Sequence, residues 1–142
     1  MDESFISRNH VKLTTKGAHV VVHSAEKKAA AMGVPQCIAV VDEGGNLLAF
    51  SRMDGSRTGS IEIAITKART AALRGQRTEE IGGGEALNQL RLALASQSNL
   101  TGLGGGVPIA AEGQVVGGVG VSSGTSEQDM EVCAAGIAAL LA

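Results

Sequence analysis

Two histidines, His19 and His23, stand four residues apart, and on a helix that spacing puts both imidazoles on one side. Such a pair can bind a metal ion, or one member can ligate haem iron. The competing reading is two flanking histidines with ordinary roles, since there is no HExxH and no third ligand is evident. Lys67 lies in a segment otherwise apolar or small. It either snorkels to solvent or serves as a cation that holds a carboxylate or a propionate. Arg52 is a second cation beside an apolar segment, and Asp42 and Asp54 are carboxylates available as acid or base if the chain is an enzyme. Gly102-Leu103-Gly104-Gly105-Gly106 could cradle an anion with its backbone amides, or could simply be a loop before a strand. It is not a P-loop, because no Lys-Ser/Thr follows, and not a dinucleotide fingerprint, because a strand follows where a helix is needed. Neither a Ser-His-Asp order nor a CxxC is present. Glu127, Asp129 and Glu131 cluster near a helix start. Macrodipole compensation accounts for the first two, with a surface iron site as the alternative.

The elements that must position these groups can be read from periodicity. Thr14 or Thr15 caps a first helix whose apolar positions are Ala18, Val21, Val22, Ala25, Ala29 and Met32; Gly33 ends it and Pro35 blocks its continuation. Cys37 to Asp42 reads as a buried strand, 43–46 as a turn and Leu47 to Arg52 as the returning strand. Ser60 is expected to cap a second helix with Ile61, Ala64, Ile65, Ala68, Ala71 and Ala72 on its buried face, stopped by Gly75. One turn at Thr78 to Ile81 and a helix over Glu85 to Ala95 lead to the glycine loop. Val107 to Ala111 and Val115 to Ser122 form a second hairpin. Gly117, Gly118 and Gly120 are costly in a strand, so they point to close approach by a backbone, a helix or a ligand. Ser126 begins the last helix, with Ser126-x-x-Asp129 approximating a capping box. Two hairpins exclude an all-parallel sheet and predict an α+β fold, a mostly antiparallel sheet with helices against it.

The 142 residues are the length of one ordinary domain, read here as 1–142 with 1–12 as an N-terminal extension. With 44% hydrophobic and 18% charged residues the chain is not a disordered one. It has two Phe and neither Trp nor Tyr, so its core must be built from Ala, Val, Ile and Leu. Such a core gives little stability alone, and subunit association is expected. A net charge of −2 without a basic run argues against nucleic acid. No apolar stretch reaches the roughly 18 residues of a membrane span. Met1-Asp2-Glu3-Ser4 carries acids where a secretion signal would carry bases, and Cys37 and Cys133 read as lone, reduced, buried thiols. The expected location is the cytoplasm.

Four motifs in order resemble the GlcG/HbpS-like family, which includes haem-binding proteins and the C-terminal domain of PduO-type corrinoid adenosyltransferases. They are Ile38-Ala-Val-Val-Asp42-x-Gly-Gly-Asn-Leu-Leu-Ala-Phe-x-Arg52-Met-Asp-Gly55, Gly59-Ser-Ile-Glu-Ile-Ala64-x-x-Lys67-Ala-x-Thr70-Ala, Gly105-Gly-Val-Pro-Ile109, and Gly113-x-x-Val-Gly-Gly-Val-Gly-Val-Ser122 followed by Gln128-Asp129. The resemblance implies a profilin-like or PAS-like fold with a central antiparallel sheet, flanking helices, and assembly into dimers or larger rings, octamers among them. It also implies haem as the candidate cofactor.

Three functions remain open on the sequence. The first is an oligomer that binds haem or another tetrapyrrole, with His19 or His23 near the iron and Arg52 or Lys67 at the propionates. Gly105, Gly106 and Gly118 would allow the ligand close. The second is an enzyme, an isomerase, lyase or hydrolase-like helper, acting on a small organic acid or aromatic catabolite. Lys67 and Arg52 would bind its carboxylate and Asp42 or Asp54 would move protons. The third is a structural or adaptor oligomer without chemistry.

Overall fold

Thr14 accepts a hydrogen bond from the Gly17 amide and so opens α1 (Thr15–Met32), which Gly33 ends in a left-handed turn at φ +72°. The computed structural model describes residues 1–142. After α1 come β1 (Cys37–Asp42), β2 (Leu47–Arg52), α2 (Ser60–Arg74), a single 3-10 turn (Thr78–Ile81), α3 (Gly84–Ala93), β3 (Gly106–Ala111), β4 (Gln114–Ser122) and α4 (Ser126–Ala138). The strands form one antiparallel sheet in the order β2-β1-β4-β3, so the two hairpins join through β1 and β4. This is the α+β architecture expected from the sequence.

Strand alternation sends β1 side chains to both faces. Ile38 and Val40 point into a core with Val119, Val121 and the inner faces of α1 and α4. Cys37, Ala39 and Val41 point the other way, onto Ala64, Ala68 and Ala72 of α2. β1 is therefore buried on both faces, which is why it reads as a continuous apolar run rather than an alternating one. The sheet lies between α2 on one side and α1 with α4 on the other.

The strand glycines set the spacing on the α2 side. A Cβ at Gly118 would strike the Ala68 carbonyl and come within 3.0 Å of the Ala72 amide. One at Gly120 would strike the Ala64 carbonyl and the Ala68 amide. The close approach anticipated for these residues is thus made by the backbone of α2. Two expected caps differ. Ser60 is the first residue of α2, whose cap position is Gly59 with no side-chain hydrogen bond. The capping box of α4 is made by Thr125 and Gln128, one residue earlier than Ser126 and Asp129. Asp129 is turned inward instead.

Candidate functional site

The helical reading of His19 and His23 is met: both lie on the exposed face of α1, one turn apart. They border an open cleft of about 620 Å³ between α1 and the edge strand β2. Lys16, Val20, Glu26, Phe50 and Ser51 line it with them. Lys16 and Val20 are one turn from the histidines, so the same helical period that pairs the imidazoles adds a cation and an apolar side chain to that wall. Phe50 and Ser51 come from β2, the sheet's outermost strand on that side, which leaves the cleft open to solvent. Imidazoles at this spacing are donors suited to haem iron, and an adjacent ammonium suits a propionate.

The other predicted residues are not gathered at this cleft. Lys67 lies on α2, across the sheet, and is only 4% exposed. Its ammonium donates to Asp129 Oδ2 at 3.0 Å and to the Val121 carbonyl at 2.8 Å. Snorkelling to solvent is ruled out, and so is a hold on a propionate in the α1 cleft. The other Asp129 oxygen accepts from Gln36 Nε2 at 2.7 Å and from the Gly124 amide at 3.1 Å. Desolvation raises the Asp129 pKa from its ordinary value, against the lowering pull of Lys67, the Gly124 amide and the more distant charge of Arg57. Together the four groups form a buried polar lock between β1, β4, α2 and α4.

The glycines assigned to ligand contact serve that lock and the helix packing. Gly105, at φ +115°, sits where a Cβ would meet Asp129 at 2.8 Å and the Lys67 amine at 2.9 Å. At Gly106 a Cβ would meet the Lys67 carbonyl at 2.5 Å, while its amide donates to Thr78 Oγ1. Gly118 faces the backbone of α2, as described above. The space beside these three residues is therefore filled by the protein itself. Arg52 ends β2 as an exposed side chain outside the cleft lining, and Asp54 is exposed in the following loop. Asp42 is used locally: its Oδ1 accepts from the amides of Gly44 and Asn46, both at 2.9 Å, and so holds the hairpin turn. Lys67 bonds next to the start of β1 and Asp42 ends that strand, so the structure does not assemble Lys67, Asp42 and Asp54 into one catalytic group. No group of three or more His, Cys, Asp or Glu is placed to hold a metal ion, and Asp129 is bonded to Lys67 rather than grouped with Glu127 and Glu131.

Comparison with known proteins decides the family. A profile described as "Haem degrading protein HbpS-like" matches residues 13–138. The chain belongs to the HbpS-like family. Within it, GlcG of Escherichia coli strain K12 is 40% identical over 115 residues, covering 81% of this chain and 84% of GlcG. The crystal structure of the Klebsiella pneumoniae protein ORFY aligns with a TM-score of 0.86 at 33% identity, over 100% of this chain and 97% of ORFY. A PduOC:heme complex aligns with a TM-score of 0.83 at 30% identity, over 91% of this chain and 95% of that one. The four-motif resemblance is confirmed. In this HbpS-like chain the sequence missed Asp129 as the partner of Lys67, and Gln36 and Thr78 as buried hydrogen-bonding residues. Asp129 carried a signal, since it falls in the last shared motif and is one of the acids at the start of α4.

Proposed function

We propose that this HbpS-like protein binds haem in the cleft between α1 and β2. His19 or His23 approaches the iron and Lys16 pairs with a propionate. The observation that carries this reading is the joint placement of both imidazoles and an ammonium on the wall of one 620 Å³ cleft. The relative bound to heme, on the same fold, supports it. Bound haem would supply the iron chemistry; the protein's own part is to present the imidazole and exclude water from one face of the ring. A cleft this open covers only part of a planar tetrapyrrole, so the reading includes a homo-oligomer in which a second copy covers the remainder. Titration with hemin tests it directly. A saturable, shifted Soret band is expected, weakened or moved in His19→Ala or His23→Ala, with light scattering showing an assembly larger than one chain. Absence of a band overturns the haem reading. An unchanged band in both variants overturns the histidines as ligands.

A further inference from the structure

We propose that the first turn of α2 is a second ligand site, on the opposite face of the sheet from the histidines, and that it binds a small oxyanion, a short-chain carboxylate in preference to inorganic phosphate. The sheet register builds it. Along β4, Gly118 meets Ala68 and Ala72, and Gly120 meets Ala64 and Ala68. Ser122 is the next residue on the same face and Ser60 is the next helical turn back from Ala64, so the strand that carries glycines under α2 presents a hydroxyl under its N-terminus. The two serines border a cavity of about 300 Å³ with Arg57, Gly59 and Ile63.

Its polar groups are left with unused hydrogen-bonding capacity. Ser122 is only 6% exposed, yet no protein group hydrogen-bonds its hydroxyl; the neighbouring bonds run between Cys37, Ser56, Arg57, Ser123 and Ser60. Ser60 is 4% exposed, and its hydroxyl bonds the Ser123 hydroxyl at 2.8 Å, which leaves it capacity for a further hydrogen bond at the cavity. Arg57 is in no ion pair of the structure. The cap position of α2 is Gly59, with no side-chain cap; the Ser60 and Ile61 amides donate to the Arg57 and Thr58 carbonyls, while the dipole of this 15-residue helix keeps its first turn electropositive. The first-turn carboxylate, Glu62, is exposed and outside the cavity lining; Asp129 is bonded by Lys67 and feels the Arg57 charge without forming an ion pair with it. An arginine, two serine hydroxyls and a helix N-terminus bordering one space are the chemistry of a carboxylate or phosphate site. Ile63, exposed at the rim, adds an apolar contact that a bare phosphate could not use.

The test is a ¹H–¹⁵N titration of the full chain at constant ionic strength, with sodium butyrate in one arm and inorganic phosphate in the other. Saturable shifts confined to the amides of 57–63 and 122–123 are expected, stronger with butyrate. Arg57→Ala and Ser122→Ala, whose amide spectra report that they fold, should each weaken binding about tenfold, the scale of a lost charge-assisted hydrogen bond. Saturation with phosphate alone retains the oxyanion site and overturns the preference for carboxylate. No saturable shift from either probe, or equal affinity in both variants, overturns the site. Hemin binding in Arg57→Ala should equal that of the unaltered protein, which separates this site from the α1 cleft.

Discussion

Replacing Lys67 with Met probes the buried lock where it is most exposed to failure. The ammonium holds Asp129 Oδ2 at 3.0 Å, with the two side chains only 5% and 3% exposed. Its removal strands a carboxylate that retains Gln36 and Gly124 on one oxygen and has no partner on the other. Breaking one side of such a pair costs about 3–5 kcal/mol. That is a large part of the roughly 5–15 kcal/mol that holds a typical domain folded. Urea denaturation at pH 7 should show the loss as a lower midpoint with an unchanged slope. Lys67→Met/Asp129→Asn keeps the oxygen that serves Gln36 and Gly124 and removes the stranded charge, so it should recover at least about half of the deficit, a coupling of roughly 2 kcal/mol. The pH dependence has a definite sign. Burial already holds the Asp129 pKa above its ordinary value. A carboxyl raised in this way favours the folded state below its unfolded pKa, and that contribution disappears as pH climbs through the folded one. Without Lys67 the folded value rises further. The deficit of Lys67→Met should therefore grow from the ordinary carboxylate range near about 4 toward pH 7, and shrink on acidification. A variant within about 1 kcal/mol of the parent at pH 7, or a deficit independent of pH, would refute the reasoning.

Gly120→Ala should prevent folding or cost more than about 3 kcal/mol, because its Cβ would enter the backbone of α2 at Ala64 and Ala68; Gly113→Ala, with open space around it but φ +76°, should cost about 1–2 kcal/mol. Circular dichroism melts of the two variants check the ranking, and a native-like melt for Gly120→Ala would contradict the packing. Cys133 is fully buried and burial raises its thiol pKa, so a thiol reagent should label it only at the rate at which the protein opens, and promptly in denaturant. Rapid labelling of Cys133 in the folded protein, read by mass spectrometry, would place it elsewhere. Hemin titration of Lys67→Met at a temperature where it remains folded should match the parent, since Lys67 is bonded to Asp129 and Val121 and does not line the α1 cleft; a loss of the Soret shift would return Lys67 to the haem site.

Periodicity carried most of the fold. The apolar spacing of α1, the unbroken Cys37–Val41 run and the glycine-marked returns at 43–46 and 112–114 each correspond to the element expected there. The strand glycines were also readable as sites of close approach, but sequence could not say what approached. A backbone and a ligand both require the missing Cβ, and only the position of α2 separates them. The same limit applied to Lys67. An apolar neighbourhood signals burial or snorkelling, whereas its partner Asp129 lies 62 residues away on another helix, and no local pattern links the two. Asp129 sits where macrodipole compensation is sufficient explanation, which hid its second use. His19 and His23 were legible because their relation is local, four residues on one helix; Phe50 and Ser51, which complete the cleft, join them only through the packing of β2 beside α1.

The tight seat of α2 on β4 divides the molecule into a rigid half and an adaptable one. Where a single methyl at Gly118 or Gly120 would already meet the backbone of α2, neither glycine has room for a side chain, and Ala64, Ala68 and Ala72 are buried against them, so that half admits few sequences. The outward side of α1 bears no such restriction, because its residues face solvent and the cleft. A library that varies 16, 19, 20, 23 and 26 could therefore retool what this scaffold holds while leaving its folding intact.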